Sequence, residues 1–251
     1  MVKEKISKYA IHLGDSTLIL GHRLGEWCGH GPALELDIAL TNTSLDLLGQ
    51  TRNYFQFAAI GSDIYKDEDQ IAFLRYEHEY TNIILVEQPN GNFAQTITRQ
   101  FLFDIYHQLL LRELQFSKEK GLTDIAAKSI KEVNYHVEFS SEWILRLGDG
   151  TAESHQKMQD ALNLLWPYYK ELFTPSELET EMKEAGIGVD IKSLESTYLE
   201  RVKTQFDKAT LEIPESKWPK SGGKQGNHSE HFGFILTELQ YMQRTYPNMQ
   251  W

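Results

Sequence analysis

The chain has 251 residues, of which 41% are hydrophobic and 24% are charged, a balance typical of globular proteins rather than disordered or membrane-embedded ones. Its formal net charge of −11 argues against nucleic-acid binding, because phosphate contacts need clustered Lys and Arg. A single cysteine, Cys28, excludes an internal disulfide, and no signal-peptide pattern or membrane-length apolar run is visible. We therefore expect a cytoplasmic protein without a membrane partner.

Apolar residues repeat at alternating steps of three and four along the first part of the chain, which is the spacing of amphipathic helices. The loops between these helices are short, so that neighbours should run antiparallel and turn their apolar stripes towards one core. Asn90-Gly91 is typical of a turn. The predicted helices cover about residues 6–27, 36–61, 67–87, 94–111 and 129–147.

Beyond residue 150 the sequence predicts shorter helices and shows no strand alternation. One lies near 153–173, one follows Thr174-Pro175, and two more lie near 191–209 and 229–244. A Pro- and Gly-rich loop separates the last two. We predict an all-α chain that forms a single domain, 1–251. Its ferritin-like up-down bundle covers about 3–148, and additional C-terminal helices cover about 151–251.

Long helices with polar residues in their apolar stripes are typical of ferritin-like proteins that bind two metal ions. Such proteins supply one Glu from each of two helices and a Glu-x-x-His pair from each of the other two. None of the nine histidines here has Glu three residues before it. In KEVNYH, Glu132 precedes His136 by four residues, and Val133 occupies the ligand position. Asp104 with His107 is the one carboxylate found at ligand spacing.

The central layer assembled from the helical stripes contains too few carboxylates for a di-iron centre. Two ferrous ions need about four carboxylates to be neutralised in a low-dielectric core, and this layer offers one. We therefore predict a hydrogen-bonded polar cluster in place of a metal site, with no catalytic residue and no metal ligand. The layer consists of Thr17, Leu47, Gln50, Asp104, Val133 and His136.

Five segments carry a family resemblance that extends over essentially the whole chain. They are RLGEWCGH (23–30), LDLLGQTRN (45–53), LVEQPNGNFAQTI (85–97), KEVNYH (131–136) and GGKQGNHSEHFGFILTELQYMQR (222–244). The segments closely resemble the C subunits of bacterial ring-1,2-phenylacetyl-CoA epoxidases, which are multicomponent oxygenases of phenylacetate catabolism. The resemblance implies a ferritin-like subunit that lacks its own catalytic metal.

The resemblance also identifies positions at which metal ligands have been lost. In the homologous di-iron A subunit the motif Asp-Glu-x-Gly-His corresponds to residues 46–50 here, where Leu47 and Gln50 replace Glu and His. The motif Lys-Glu-Glu-x-Phe-His corresponds to residues 131–136, where Val133 replaces the ligand Glu. KEVNYH is thus interpreted as the remnant of a metal motif. The vestigial positions implied are Thr17, Leu47, Gln50, Asp104, Val133 and His136.

The resemblance further implies partners and a division of labour. The chain would bind no cofactor, and the di-iron centre would lie on the A subunit, which this chain would hold in a competent shape. Other epoxidase subunits, including a flavin and iron–sulfur reductase that delivers electrons, would complete the assembly. We expect the first two helices to carry the partner contact, and a homodimer is an open alternative when the partner is absent.

Two further hypotheses remain open at this point. The chain could be a ferritin-like metalloenzyme acting on its own, with Asp104, His107, Glu132 and His136 as atypical ligands. Separately, Lys220 and Lys224 lie in a glycine-rich loop within an acidic chain, and they could contact coenzyme A phosphates. The alternative for this loop is a solvated segment that orders the final helix.

Overall fold

The computed structural model describes residues 2–215, 218–247 and 249, and it divides the chain into two compact units. Unit 1 contains the described residues of Met1–Gln88 and Gly222–Trp251, and unit 2 is Pro89–Ser221. The described residues form helices and turns and no strand, so that the predicted all-α, ferritin-like class is confirmed. The prediction of one domain over 1–251, with a core at about 3–148 and an extension at about 151–251, stays a prediction.

Unit 1 is built on two long helices, α1 (Val2–Gly25) and α2 (Leu34–Gly61), which pack along each other. Small residues allow this close approach. A Cβ added at Gly14 would overlap the ring of Phe55, and the Ser44 hydroxyl donates to the carbonyl oxygen of Gly21 at 2.6 Å. Unit 1 is completed by α3 (Glu68–Phe73) and by α10 (Glu230–Thr245).

Unit 2 contains the remaining helices, and its centre is α4 (Phe93–Leu114), whose side chains are buried almost throughout. The side chain of Asn92 caps α4 by accepting from the Gln95 N–H at 3.0 Å, directly after the turn predicted at Asn90-Gly91. Phe101 packs edge-on against Phe206 with ring centroids 5.4 Å apart. The helices are α4 (Phe93–Leu114), α5 (Lys120–Gly148), α6 (Ala152–Leu165), α7 (Tyr169–Leu172), α8 (Glu177–Glu184) and α9 (Glu195–Lys208).

The predicted third helix over 67–87 is wrong. Helix α3 ends at Phe73, and two 3-10 turns, Glu77–Glu79 and Ile84–Glu87, follow it. The reason is long-range: the Thr81 N–H donates to the Asp15 carboxylate at 2.8 Å instead of to a carbonyl one turn back. Buried Arg75 also donates to Asp15 and to the carbonyl of Glu79. The Asp15 side chain of α1 thus takes a backbone donor, the N–H of Thr81, that a helix would need.

Proline shortens another predicted helix. The pattern over 153–173 resolves into α6, a 3-10 turn at Trp166–Tyr168 and α7. Pro167 has no N–H to donate, so that the α-helical hydrogen bonding breaks there. Separately, no helix among the described residues is long and apolar enough to cross a membrane.

Candidate functional site

All six positions of the predicted central layer are buried, each with at most 1% of its surface exposed. The inward orientation expected from helical spacing is therefore observed on every one of the four helices concerned. Three of the residues lie in unit 1 and three in unit 2. They are Thr17, Leu47, Gln50, Asp104, Val133 and His136.

The unit 1 positions carry hydroxyl, alkyl and amide groups. The hydroxyl oxygens of Thr17 and Thr51 lie 2.7 Å apart, and each hydroxyl also contacts a carbonyl oxygen of its own helix, that of Gly14 and that of Leu47 respectively. These short bonds join α1 to α2 at the position where the family resemblance implies a lost carboxylate. The side chain at this position, the hydroxyl of Thr17, is neutral, and its hydrogen bonds to the Gly14 carbonyl and the Thr51 hydroxyl satisfy it.

In unit 2 the carboxylate of Asp104 is held on both sides. Its Oδ1 accepts from Gln100 Nε2 at 2.6 Å, and its Oδ2 accepts from the Ser140 hydroxyl at 2.8 Å. Burial raises the pKa of Asp104 from 3.8 to about 6, although the charge of His136 and these two hydrogen bonds lower it in part. Both oxygens are therefore engaged by protein donors, in a cluster that tolerates a proton on the carboxyl.

His107 is a neutral imidazole in the same helix. Burial lowers its pKa from 6.5 to about 3, and the charge of His136 lowers it further. Its ring centroid lies 5.0 Å from that of Phe103. The next residue, Gln108, donates from Nε2 to Asn134 Oδ1 at 2.7 Å and ties α4 to α5. The interior of this helix pair thus contains some polar side chains that are bonded to one another, whereas the buried Nδ1 of His107 has no hydrogen-bond partner among the described residues.

These residues do not fit a metal ion. Within either unit, no three His, Cys, Asp or Glu side chains among the described residues are grouped so that they could hold one. That result includes the atypical set Asp104, His107, Glu132 and His136, all of which lie in unit 2. Asp104 is the one carboxylate of the predicted layer, and Gln100 and Ser140 already occupy its oxygens. The hypothesis of an independent metalloenzyme therefore finds no support in the donor set.

A second buried polar cluster, in unit 1, was not predicted from the sequence. Glu87 Oε1 accepts from His228 Nδ1 at 2.6 Å and from Asn82 Nδ2 at 2.8 Å, and Glu87 Oε2 accepts from the Ser229 N–H at 2.8 Å. Burial opposes the charge on His228, but the hydrogen bond and the negative charge of Glu87 outweigh it and raise the pKa of His228. Glu87 and His228 are 141 positions apart in the sequence, so that no short-range spacing pattern could have predicted their contact.

The glycine-rich loop packs against unit 1 more closely than the sequence indicated. A Cβ at Gly223 would overlap the carbonyl oxygen of Asn82, and Gly226 has a φ of +77°, a left-handed conformation that favours glycine. Lys224 is 5% exposed, whereas Lys220 is exposed, with its Nζ 3.3 Å from the Tyr168 hydroxyl in unit 2. Burial removes Lys224 from the surface that a phosphate would approach, which favours the ordering role for this loop.

Two comparisons place the chain among known proteins. A family profile described as "Phenylacetic acid catabolic protein" matches residues 2–251. The chain is also similar to the C subunit of 1,2-phenylacetyl-CoA epoxidase from Escherichia coli (strain K12), with 47% identity over 249 residues. That alignment covers 98% of this chain and 99% of the relative. The resemblance drawn from the five segments is confirmed.

Proposed function

The chain belongs to the phenylacetic acid catabolic protein family, and from this premise we propose that it is a non-catalytic structural subunit of a multicomponent phenylacetyl-CoA 1,2-epoxidase. In this role it pairs with the homologous di-iron A subunit and stabilises it. The chemistry on the thioester's aromatic ring takes place on the A subunit, and the reductase supplies the electrons. This chain holds no cofactor and acts in the cytoplasm.

The observation that carries this proposal is the state of the Asp104 carboxylate. Both of its oxygens accept from Gln100 and Ser140 inside unit 2, and the neighbouring ligand position is the fully buried side chain of Val133. A catalytic di-metal centre needs carboxylates whose oxygens are available to the ions. Here the corresponding interior contains the alkyl side chain of Val133 and a carboxylate bonded to Gln100 and Ser140, which stabilise a helix pair without a metal.

We place the partner contact on the exposed face of α2. Leu34, Ile38 and Leu45 share one side of this helix and are 72%, 52% and 61% exposed, and such a row of large apolar side chains is typical of an interaction surface. The partner is the A subunit, since paired helical subunits bury helix faces against each other. A second copy of this chain is the competing occupant when the A subunit is absent.

The first test is the metal content of the chain purified alone from metal-replete cells. We expect less than about 0.1 equivalent of iron, manganese or zinc per chain, because the donor set cannot neutralise two ions. Near two equivalents that fall in Asp104→Ala or His136→Ala would overturn the proposal. The exposed variant Asp160→Ala is the matched control, since it removes a carboxylate elsewhere in unit 2.

The second test is reconstitution with the A subunit and reductase. We expect Asp104→Asn and His107→Gln to co-purify with the A subunit and to retain turnover of phenylacetyl-CoA. Ile38→Asp and Leu45→Asp should abolish co-purification, and light scattering of the wild-type chain alone decides whether this face also joins two copies. Loss of turnover in an Asp104→Asn complex that assembles normally would show that this protein takes part in the chemistry.

A further inference from the structure

Three aromatic side chains form a row on the surface of α5 in unit 2. Tyr135 is 51% exposed, and Phe139 and Trp143 are half-buried. The ring centroids of Tyr135 and Phe139 lie 6.3 Å apart, and those of Phe139 and Trp143 lie 6.5 Å apart. Exposed aromatic residues are enriched at the centres of protein interfaces. The outer side of α5 therefore has the composition of an interaction surface.

Neighbouring side chains hold one end of this row in place. The ring of Phe93, at the start of α4, packs edge-on against Trp143 with centroids 5.4 Å apart. On the next turn of α5, the guanidinium carbon of Arg146 lies 5.3 Å from the centroid of the Trp143 ring. A surface that is ordered before it binds loses little conformational freedom on association. The row is thus suited to bind a partner without rearrangement.

The aromatic row has an acid at one end and a base at the other. Glu132 precedes it and Arg146 follows it, so that the five residues are separated by steps of three, four, four and three. Steps of three and four place all five on one side of the helix, and we call this set the α5 face. Its spacing is the same when read in either direction, whereas its charge changes sign.

This arrangement is complementary to itself in an antiparallel orientation. When two copies of α5 cross about a twofold axis at Phe139, Tyr135 of one copy meets Trp143 of the other. Glu132 then meets Arg146 of the other copy, and the symmetry forms each contact twice. In a parallel orientation like charges would meet instead. Arg146 pairs with Glu142 at 3.0 Å within the chain, but this contact is exposed and weak enough to be exchanged.

We propose that two copies of this chain associate through the α5 face, antiparallel about a twofold axis at Phe139. The occupant is a second copy because one face carries both halves of each contact, the acid with the base and Tyr135 with Trp143. The A-subunit contact proposed above lies on α2 in unit 1, so that the two associations use different helices. This inference does not depend on the scaffolding role.

The test is the mass of the full-length chain alone, measured by light scattering and sedimentation equilibrium at concentrations up to about 1 mM, where weak contacts are still detected. We expect the mass to rise from the 29.0 kDa of one chain towards twice that value. A mass that stays at 29.0 kDa over the whole range would overturn the proposal.

Charge exchange assigns the contact to this face. Glu132→Arg and Arg146→Glu should each weaken dimerisation at least about tenfold, because each one places like charges together at both ends of the symmetric contact. The double variant Glu132→Arg/Arg146→Glu should return to within about threefold of the wild type, since the charges again match. Glu200→Arg is the control, because it makes the same charge change at an exposed position of α9.

A neutral variant tests the aromatic contact separately. Tyr135→Ser should weaken dimerisation about tenfold, because it removes a ring at both ends of the contact. Tyr241→Ser is the matched control, since Tyr241 is 58% exposed on α10 of unit 1, and it should dimerise as the wild type does. Thermal unfolding checks that each variant folds.

Several outcomes would contradict the proposal. A double charge variant that stays as weak as the single ones would show that Glu132 and Arg146 do not meet. Dimerisation that is lost in Ile38→Asp but kept in Glu132→Arg would place the contact on α2. Loss of co-purification with the A subunit in Glu132→Arg would assign the α5 face to that partner. None of these results would remove the scaffolding proposal, which rests on the donor set of unit 2.

Discussion

His228 and Glu87 form an ion pair whose side chains are fully buried in unit 1, with Nδ1 of the imidazole 2.6 Å from Oε1 of the carboxylate. The other ring nitrogen of His228, Nε2, lies 3.0 Å from the carbonyl oxygen of Tyr80. Because both ring nitrogens face acceptors, the doubly protonated imidazolium fits this place best. The pair fastens the start of α10 to the 3-10 turn Ile84–Glu87.

Glu87→Gln should lower the free energy of unfolding by about 3 kcal/mol or more, since it leaves a buried imidazolium without its counter-charge. The pKa of His228 is raised in the folded state, so that the stability it contributes is fully present below pH 6.5 and is lost as the pH rises through the raised value. Urea unfolding between pH 6 and 9 measures both effects.

The matched control for this pair is Asp124→Asn, which breaks the exposed Lys120–Asp124 pair of 2.7 Å. Exposed pairs contribute about 0–1 kcal/mol, so this control should stay close to wild type. A Glu87→Gln variant that unfolds at the wild-type urea concentration at pH 6 would show that the buried pair contributes nothing to folding.

Asp104→Asn should stabilise the protein at pH 7.5 and give no gain at pH 4. The pKa of Asp104 is raised from 3.8 to about 6 in the folded state, and a raised pKa contributes stability below 3.8 that is lost as the pH rises through 6. At pH 7.5 the buried negative charge therefore costs about 3 kcal/mol. The thermal midpoint, measured at both pH values, checks the sign.

Asp160→Asn is the control for this prediction, because Asp160 accepts from Gln156 at 2.9 Å in the same four-residue spacing but on the surface of α6. It should change the thermal midpoint little at either pH. If Asp104→Asn changed the thermal midpoint equally at pH 7.5 and pH 4, ionisation of the buried carboxyl would cost no folding energy, contrary to the expectation.

His107→Gln should make the protein more resistant to acid. The pKa of His107 is lowered from 6.5 to about 3 in the folded state, so that between these values the unfolded chain binds a proton that the folded chain does not. Stability is therefore present above pH 6.5 and is lost as the pH falls, by about 1.4 kcal/mol per unit. Unfolding curves at pH 7 and pH 5 measure this slope.

We expect the pH 7 to pH 5 loss to shrink by about 2 kcal/mol in His107→Gln. His30→Gln, at an exposed loop position, should leave the slope as it is in the wild type. An identical slope in both variants would mean that His107 accepts its proton without loss of folding energy.

Two glycine substitutions should act in opposite directions. In Gly223→Ala the new Cβ meets the backbone carbonyl of Asn82, which cannot move away freely, and we expect a loss of about 1–3 kcal/mol. In Gly49→Ala, within the exposed face of α2, the Cβ meets nothing within 4 Å, and we expect a gain of about 0.5–1 kcal/mol. Chemical denaturation compares the two variants, and a stable Gly223→Ala would argue against the close packing of this loop.

The long helices could be predicted from the sequence because their signals are local. A four-three apolar repeat acts over a few residues. The absence of a carboxylate at Leu47 and Val133 was equally visible, since it is a matter of residue type. The third predicted helix is wrong because a distant residue, Asp15, accepts the backbone N–H of Thr81, which a helix would need.

What the sequence by itself determined was the helical class, the inward stripes and the shortage of metal-binding carboxylates, together with the family resemblance. Tertiary structure alone decided that Gln100 and Ser140 occupy the oxygens of Asp104 and that Glu87 pairs with His228. Helical periodicity depends on neighbours along the chain, whereas these partnerships depend on which distant helices burial forces together.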